Sequence, residues 1–166
     1  HSGPSALPTR TACAGPASTS PMMIPRLFLV ASTTLFLAAC VCLGVGEVLS
    51  RPAAQAVGQP PAHFRAQTVR LDTEPGQFVV GWFLRGEPSK GAVLLLHGVR
   101  GNRTQMLGRA VFLARAGYST LLIDLPAHGE SSGDRITFGA RESRGVRAAV
   151  AFLRDALPQE RLGVIG

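Results

Sequence analysis

The stretch Ala92-Val93-Leu94-Leu95-Leu96-His97-Gly98-Val99-Arg100-Gly101-Asn102 constrains this chain more than any other. Its apolar opening is too short for a helix and does not alternate, which suits a strand buried on both faces, as a parallel sheet requires. The run stops at His-Gly, and a second glycine leads to Asn102 and Thr104, residue types that cap a following helix. Met106, Leu107, Ala110, Val111, Leu113 and Ala114 then recur at helical spacing until Gly117. The pattern predicts a strand over 92–97, a glycine turn and a helix over 104–116. In such units the chemistry sits at the carboxyl end of the strand.

The neighbouring segments extend the same logic. Gln67–Leu71 and Gln77–Leu84, separated by Asp72-Thr73-Glu74-Pro75-Gly76, predict an antiparallel hairpin, with Trp82 and Phe83 helping to bury one face. Ser119–Leu125 predicts a second buried strand, followed by a loop over 126–134. Helical spacing resumes near Ala140 and continues through Val146, Ala149, Val150, Phe152 and Leu153 to about Leu157. Leu162-Gly163-Val164-Ile165 begins a third parallel strand. The expected fold class is α/β, with an antiparallel hairpin ahead of parallel strands and crossover helices.

Four segments are expected. Residues 1–21 are rich in Pro, Ser, Ala, Thr and Gly without periodicity, a disordered composition. Met22 or Met23 reads as the true start, and the stretch before it as an upstream artefact. Residues 22–49 read as a signal anchor or transmembrane helix, because Leu27–Gly46 carries no charge and twenty helical residues span about 30 Å. Leu37-Ala38-Ala39-Cys40 also has the form of a lipobox, which leaves a lipoprotein through Cys40 and a cleaved signal peptide as alternatives. Residues 50–62 read as a Pro/Ala/Gln linker that cannot pack, and 63–166 as the partial globular domain.

Charge and cysteine content exclude several function classes. Lys+Arg number 17 against Asp+Glu 10, a net charge of +7, but the arginines are scattered singly and no basic run with interleaved aromatics occurs. Nucleic acid is therefore not an expected partner. Cys13, Cys40 and Cys42 all precede Arg51, so the domain can hold neither a disulfide nor a cysteine metal site. The segment from Gly98 to Thr104 is no P-loop, since position 103 is Arg where Gly is needed.

His97-Gly98-Val99-Arg100-Gly101-Asn102 directly after an aliphatic strand resembles the oxyanion loop of the alpha/beta-hydrolase family. Asp124-Leu125-Pro126-Ala127-His128-Gly129-Glu130-Ser131-Ser132-Gly133 is similar to the segment after that family's next strand, with Ala127 where glycine is common. Thr137-Phe138-Gly139 before Glu142 is a third, weaker match, and Gly145 stands where an acidic residue is common. The resemblance covers about 66–166 and is nearest to membrane-anchored bacterial hydrolases of the serine-aminopeptidase and monoacylglycerol-lipase-like branch. It implies the first half of an alpha/beta-hydrolase domain that cleaves an ester, thioester or amide of a small acyl substrate without metal or cofactor. The implied oxyanion donor is the backbone N–H of Val99, with Gly98 and Gly101 allowing a tight turn and His97 and Asn102 supporting the loop.

Gly129-Glu130-Ser131-Ser132-Gly133 also fits G-x-S-x-G. A nucleophile elbow needs a strand running directly into the turn and a helix directly out, and neither flanks this segment. Ser131, His128 and Asp124 are accordingly read as structural. The expected elbow lies just past Gly166, so the Ser-His-Asp triad falls outside a fragment that is itself expected to be inactive. The implied location is a bacterial inner membrane, held by 27–46, with the domain facing the periplasm or outside. The rival reading is a non-catalytic pseudoenzyme or binding module on the same fold.

Overall fold

The computed structural model describes residues 23–166, and two units are distinguished, one ending at Leu43 and one running Gly44–Gly166. The expectations for the leader 1–21 and for the start at Met22 lie outside the described residues. Helix α1 (Met23–Ser50) carries no charge between Arg26 and Glu47, and its apolar stretch is unburied. It is long and apolar enough to cross a membrane, and a signal segment has the same length and composition. Its hydroxyls are satisfied within the helix: Ser32 donates to the Leu29 carbonyl at 3.0 Å and Thr34 to the Val30 carbonyl at 2.8 Å. In lipid such groups would otherwise be costly.

The second unit is built on a five-stranded mixed sheet. Hairpin β2 (Gln67–Glu74) and β3 (Gln77–Leu84) leads to β4 (Ala92–Leu96), β5 (Ser119–Ile123) and β7 (Leu162–Ile165), in the spatial order β2-β3-β5-β4-β7. β3 pairs antiparallel with β5, whereas β4 is parallel to both β5 and β7. The hairpin turn is shorter than its polar composition predicts. Pro75 and Gly76 (φ 76°) supply the two central residues of a tight turn, which frees Asp72–Glu74 to extend β2.

β4 and β5 are buried on both faces, as the continuous aliphatic runs require. Leu94, Leu121 and Ile123 pack with Val79, Phe83, Ala149 and Leu153 on the side of helix α3 (Glu142–Ala156). Val93, Leu95 and Leu122 pack with Trp82, Met106 and Ala110 on the side of helix α2 (Leu107–Arg115). Phe83 meets Phe152 edge-on, with ring centroids 5.1 Å apart. Trp82 is 1% exposed, which removes it from any substrate-stacking role.

The segment 50–62 corrects the sequence expectation. It was expected to be an unpacked linker, yet β1 (Ala53–Ala54) pairs in parallel with β6 (His128–Gly129), and the Gln55 N–H donates to the Gly129 carbonyl at 2.9 Å. Ala53 is buried with Ala127 and Ile136. Small side chains, main-chain hydrogen bonds and Val57, packed against the cluster around Trp82, hold the segment.

Gly145 lies inside α3, where a glycine ordinarily weakens a helix by about 1 kcal/mol relative to alanine. A Cβ there would stand 2.9 Å from both Pro126 Cδ and Val79 Cγ1, so the glycine is what lets α3 approach the sheet. Gly145→Ala is expected to lose about 1–3 kcal/mol to overpacking, more than the propensity it gains. A raised melting temperature would contradict this close-approach role.

Candidate functional site

The candidate site is assembled where β4 and β5 end. Past Leu96 the chain turns sharply, and the Gly101 N–H donates to the Gly98 carbonyl at 3.0 Å. The residue that takes the left-handed conformation is Arg100 (φ 61°), whereas neither Gly98 nor Gly101 has a positive φ. The expectation that these two glycines provide the turn's conformational freedom is thus corrected. A Cβ at Gly98 would meet no atom within 4 Å, and a Cβ at Gly101 would meet the Gln105 side chain. Val99, at the outside of the turn, is 61% exposed, and among the described residues no acceptor takes its N–H.

Two buried histidines hold this turn against the loop after β5. His97 Nε2 accepts the Leu125 N–H at 3.0 Å, which leaves Nδ1 to donate to the Gly98 carbonyl at 2.7 Å. His128 mirrors it: Nε2 accepts the Arg100 N–H at 3.1 Å and Nδ1 donates to the Pro126 carbonyl at 2.9 Å. Each ring carries its proton on Nδ1 and spends both nitrogens on the main chain. The two centroids are 5.0 Å apart. Burial, reinforced by the nearby His128, pushes the His97 imidazole below its ordinary range despite the bond to Gly98. Both therefore serve as architecture rather than as acid or base.

Beneath the turn lies a charged centre that sequence reasoning missed. Arg103 is fully buried and forms an ion pair with the buried Asp124 and a second with Glu130. The Arg103 N–H donates to Asp124 Oδ1 at 2.6 Å, Nη2 donates to the Gly58 carbonyl at 3.1 Å, and the guanidinium lies 4.8 Å from the Trp82 ring centroid. Glu130 in turn accepts the Val57 and Gly58 N–H groups at 3.0 and 2.8 Å. The Arg103 guanidinium holds the Glu130 carboxyl below the usual glutamate range. Residues 103–106 are wound as a tight 3-10 turn before α2 begins at Leu107, where the sequence predicted regular helix from 104. Asn102 caps that turn, accepting the Thr104 N–H at 3.0 Å, and its amide donates to Gln55 Oε1 at 2.7 Å. The only hints in the sequence were an acid ending an apolar strand and a second acid within a glycine-rich loop.

The serines of the G-x-S-x-G segment are occupied. Ser131 Oγ donates to the Asp124 carbonyl at 2.7 Å and accepts the Val80 N–H at 2.9 Å, while Ser132 Oγ accepts the Phe78 N–H at 2.7 Å. They tie the loop to β3. Thr137 and Gly139 donate to the Glu142 carboxylate, at 2.8 and 2.7 Å from their N–H groups, so the third motif is a turn fastened to the first residue of α3. Burial raises the Glu142 carboxyl, and these hydrogen bonds outweigh it and hold the group below its ordinary range. Among the described residues no group of three or more His, Cys, Asp or Glu side chains is placed to hold a metal.

Solved structures share this fold. An esterase from Pyrococcus furiosus matches at 30% identity with a TM-score of 0.59, over 70% of this chain and 46% of its own; a second crystal form matches at 32% and 0.60, over 70% and 48%. An alpha-beta hydrolase from Vibrio vulnificus matches at 20% identity and a TM-score of 0.52, over 61% of this chain and 35% of its own. No family model matches the chain, and no curated protein matches it. The chain spans less than half the length of the esterase. The fold is that of the alpha/beta hydrolases.

Replacing Arg103 with Met would leave Asp124 buried without its counter-ion. The expected loss in urea unfolding of the full-length protein is about 3–5 kcal/mol. A change within about 1 kcal/mol, the range of an exposed pair, would contradict the role assigned to it. The depressed His97 imidazole gives a second expectation. The folded state disfavours its protonation, so this contribution is fully present above the ordinary value of 6.5 and is lost as pH falls below that value through the folded one. Unfolding free energy measured downward from neutral pH should decline, and less steeply in His97→Gln; identical slopes would exclude the histidine as the cause.

Proposed function

We propose that the chain is the first half of a serine hydrolase that cleaves an ester, thioester or amide of a small acyl substrate. One oxyanion donor is the Val99 N–H, supported by His97, Gly98, Gly101 and Asn102. The observation that carries this reading is the Val99 N–H past the carboxyl end of β4, which has no acceptor among the described residues, in a turn whose His97, Arg100 and Asn102 groups are paired. An acyl-transfer transition state places negative charge on the carbonyl oxygen, and a pre-aimed N–H of this kind stabilises it. In this fold the second donor follows the nucleophile, which sits on a strand-to-helix elbow. β7 is the strand that would deliver that elbow past Gly166, with the Ser-His-Asp triad completed by later residues. No cofactor is needed for such a mechanism.

The finer assignment is to the membrane-anchored bacterial branch of the serine-aminopeptidase and monoacylglycerol-lipase-like hydrolases. Residues 22–49 act as an uncleaved anchor in the inner membrane, spanning it over 27–46 with the domain facing outward. The charge-free length of Leu27–Gly46 supports this, and nucleic acid plays no part.

Val99→Pro is the direct test. Val99 is the second residue of the turn closed by Gly98 and Gly101, a position that accepts proline readily, so the donor is removed with the turn kept. Turnover of an activated ester by the full-length protein should fall by about 10²–10³, while labelling of the nucleophile by a fluorophosphonate remains detectable. Undiminished turnover in a folded variant would remove Val99 from the mechanism. Absence of labelling in the unaltered protein would favour a non-catalytic protein on this fold.

A further inference from the structure

A cavity of about 370 Å³ opens between the β2–β3 hairpin, the loop after β6 and the start of α3, and the residues lining it include none of the oxyanion turn. Three backbone features build its wall. The pairing of β2 with β3 shifts register between Asp72 and Glu74, which leaves Thr73 in a bulge on the hairpin side. Ser132 clamps the opposite loop to β3: its N–H donates to the Phe78 carbonyl at 3.0 Å, and its Oγ accepts the Phe78 N–H at 2.7 Å. Gly133 follows with φ 141°, and a Cβ there would stand 2.5 Å from the Ala127 nitrogen, so a glycine lets the loop lie this close.

Guanidinium groups reach this cavity from two elements. Arg135 comes from the loop, while Arg141 and Arg144, three residues apart, share one face at the start of α3. Arg141 pairs with Asp134, Arg144 with Glu74 at 2.6 Å, and Arg135 with Glu47 at 2.9 Å. Each pair uses one nitrogen of a group that carries five N–H donors, and all three guanidiniums remain solvent-accessible. The Thr73 hydroxyl and the Gly133 and Arg135 N–H groups, on residues that also line the cavity, have no partner among the described residues. Glu74 and Asp134 are the lining carboxylates, so three positive charges face two negative ones.

That donor set selects among anions. A planar carboxylate is met in full by the fork of a single guanidinium. Several guanidiniums with main-chain N–H groups and a hydroxyl around one cavity suit a tetrahedral oxyanion, whose oxygens point in different directions. We propose that this cavity binds a phosphate group, with Arg135, Arg141 and Arg144 as its charged ligands and the Gly133 and Arg135 N–H groups as main-chain donors. The Asp134 side chain is 81% exposed, so the oxyanion can replace it on Arg141 at little loss. The assignment is independent of the hydrolase reading, because no group of the oxyanion turn takes part.

Equilibrium dialysis of the full-length protein against radiolabelled inorganic phosphate, at ionic strength fixed with sodium chloride, tests the site. Binding should saturate at one phosphate per chain. Arg141→Gln combined with Arg144→Gln should weaken it by at least about tenfold, through loss of charge-assisted hydrogen bonds. Arg109→Gln, on α2 and away from the cavity, should leave it unchanged. The two substituted ion pairs are exposed, so the double variant should melt as the unaltered protein does. Arg135→Gln alone should weaken binding in the same direction and serves as the comparison if the double variant melts lower. Absence of saturable binding, equal binding by the cavity variants, or an equal loss in Arg109→Gln overturns the site. Glycerol 3-phosphate distinguishes the source of the group. Displacement of the label at about a tenth of the phosphate concentration, a tenfold preference, assigns the cavity to a phosphoester; displacement only at equal or higher concentration assigns it to free phosphate.

Discussion

The ion pair between Arg103 and Asp124 is the constraint on which the site depends. Both groups are removed from water, and the cost of that desolvation is offset only when geometry and additional hydrogen bonds are good. Here they are. The Asp124 carboxylate takes the Arg103 main-chain and side-chain donors together with the Glu130 N–H, and Glu130 carries the arrangement on to Val57 and Gly58. Three segments distant in sequence are thereby fixed to one cation. A Cβ at Gly129 would stand 2.1 Å from Asp124 Oδ2, so the glycine there is required by the same centre.

Above that centre the polar groups divide into those consumed and those left free. His97, His128, Ser131 and Ser132 all have the chemistry of catalytic residues, and all are engaged with main-chain donors or acceptors. The Val99 N–H has no acceptor among the described residues, and the turn that carries it is held from both sides by the histidines.

The sheet was legible because its signals are local and redundant. Leu94–Leu96 and Leu121–Ile123 could only be strands buried on both faces, and Pro75-Gly76 could only be a turn. Ser131 and Ser132 could be set aside from their flanks alone, with neither a strand entering nor a helix leaving directly. The failures share one cause, which is that the relevant partners are far away in sequence. Arg103 is one arginine among many until Asp124 and Glu130 are seen around it. Ala53 to Gly58 read as a linker because their contribution is made mostly by main-chain groups and small side chains, with Val57 alone packed against the cluster around Trp82, too little for hydrophobic patterning to register. Arg100 took a left-handed conformation that glycine was expected to hold, since the bond from its N–H to His128 fixes it there.

The parallel pairing of β1 with β6 also sets an order in time. Val57 and its partner Glu130 are separated by 73 residues. During synthesis at roughly 5–20 residues per second, the segment after α1 emerges about 4–15 s before the loop that receives it exists. A short stretch of unpaired backbone therefore waits while β2 to β5 are made. Its apolar side chains are small, Val57 being the largest, which gives it little tendency to misassociate in that interval. The closure of residues 53–58 over Arg103 can come only after the loop that carries Glu130 has been made.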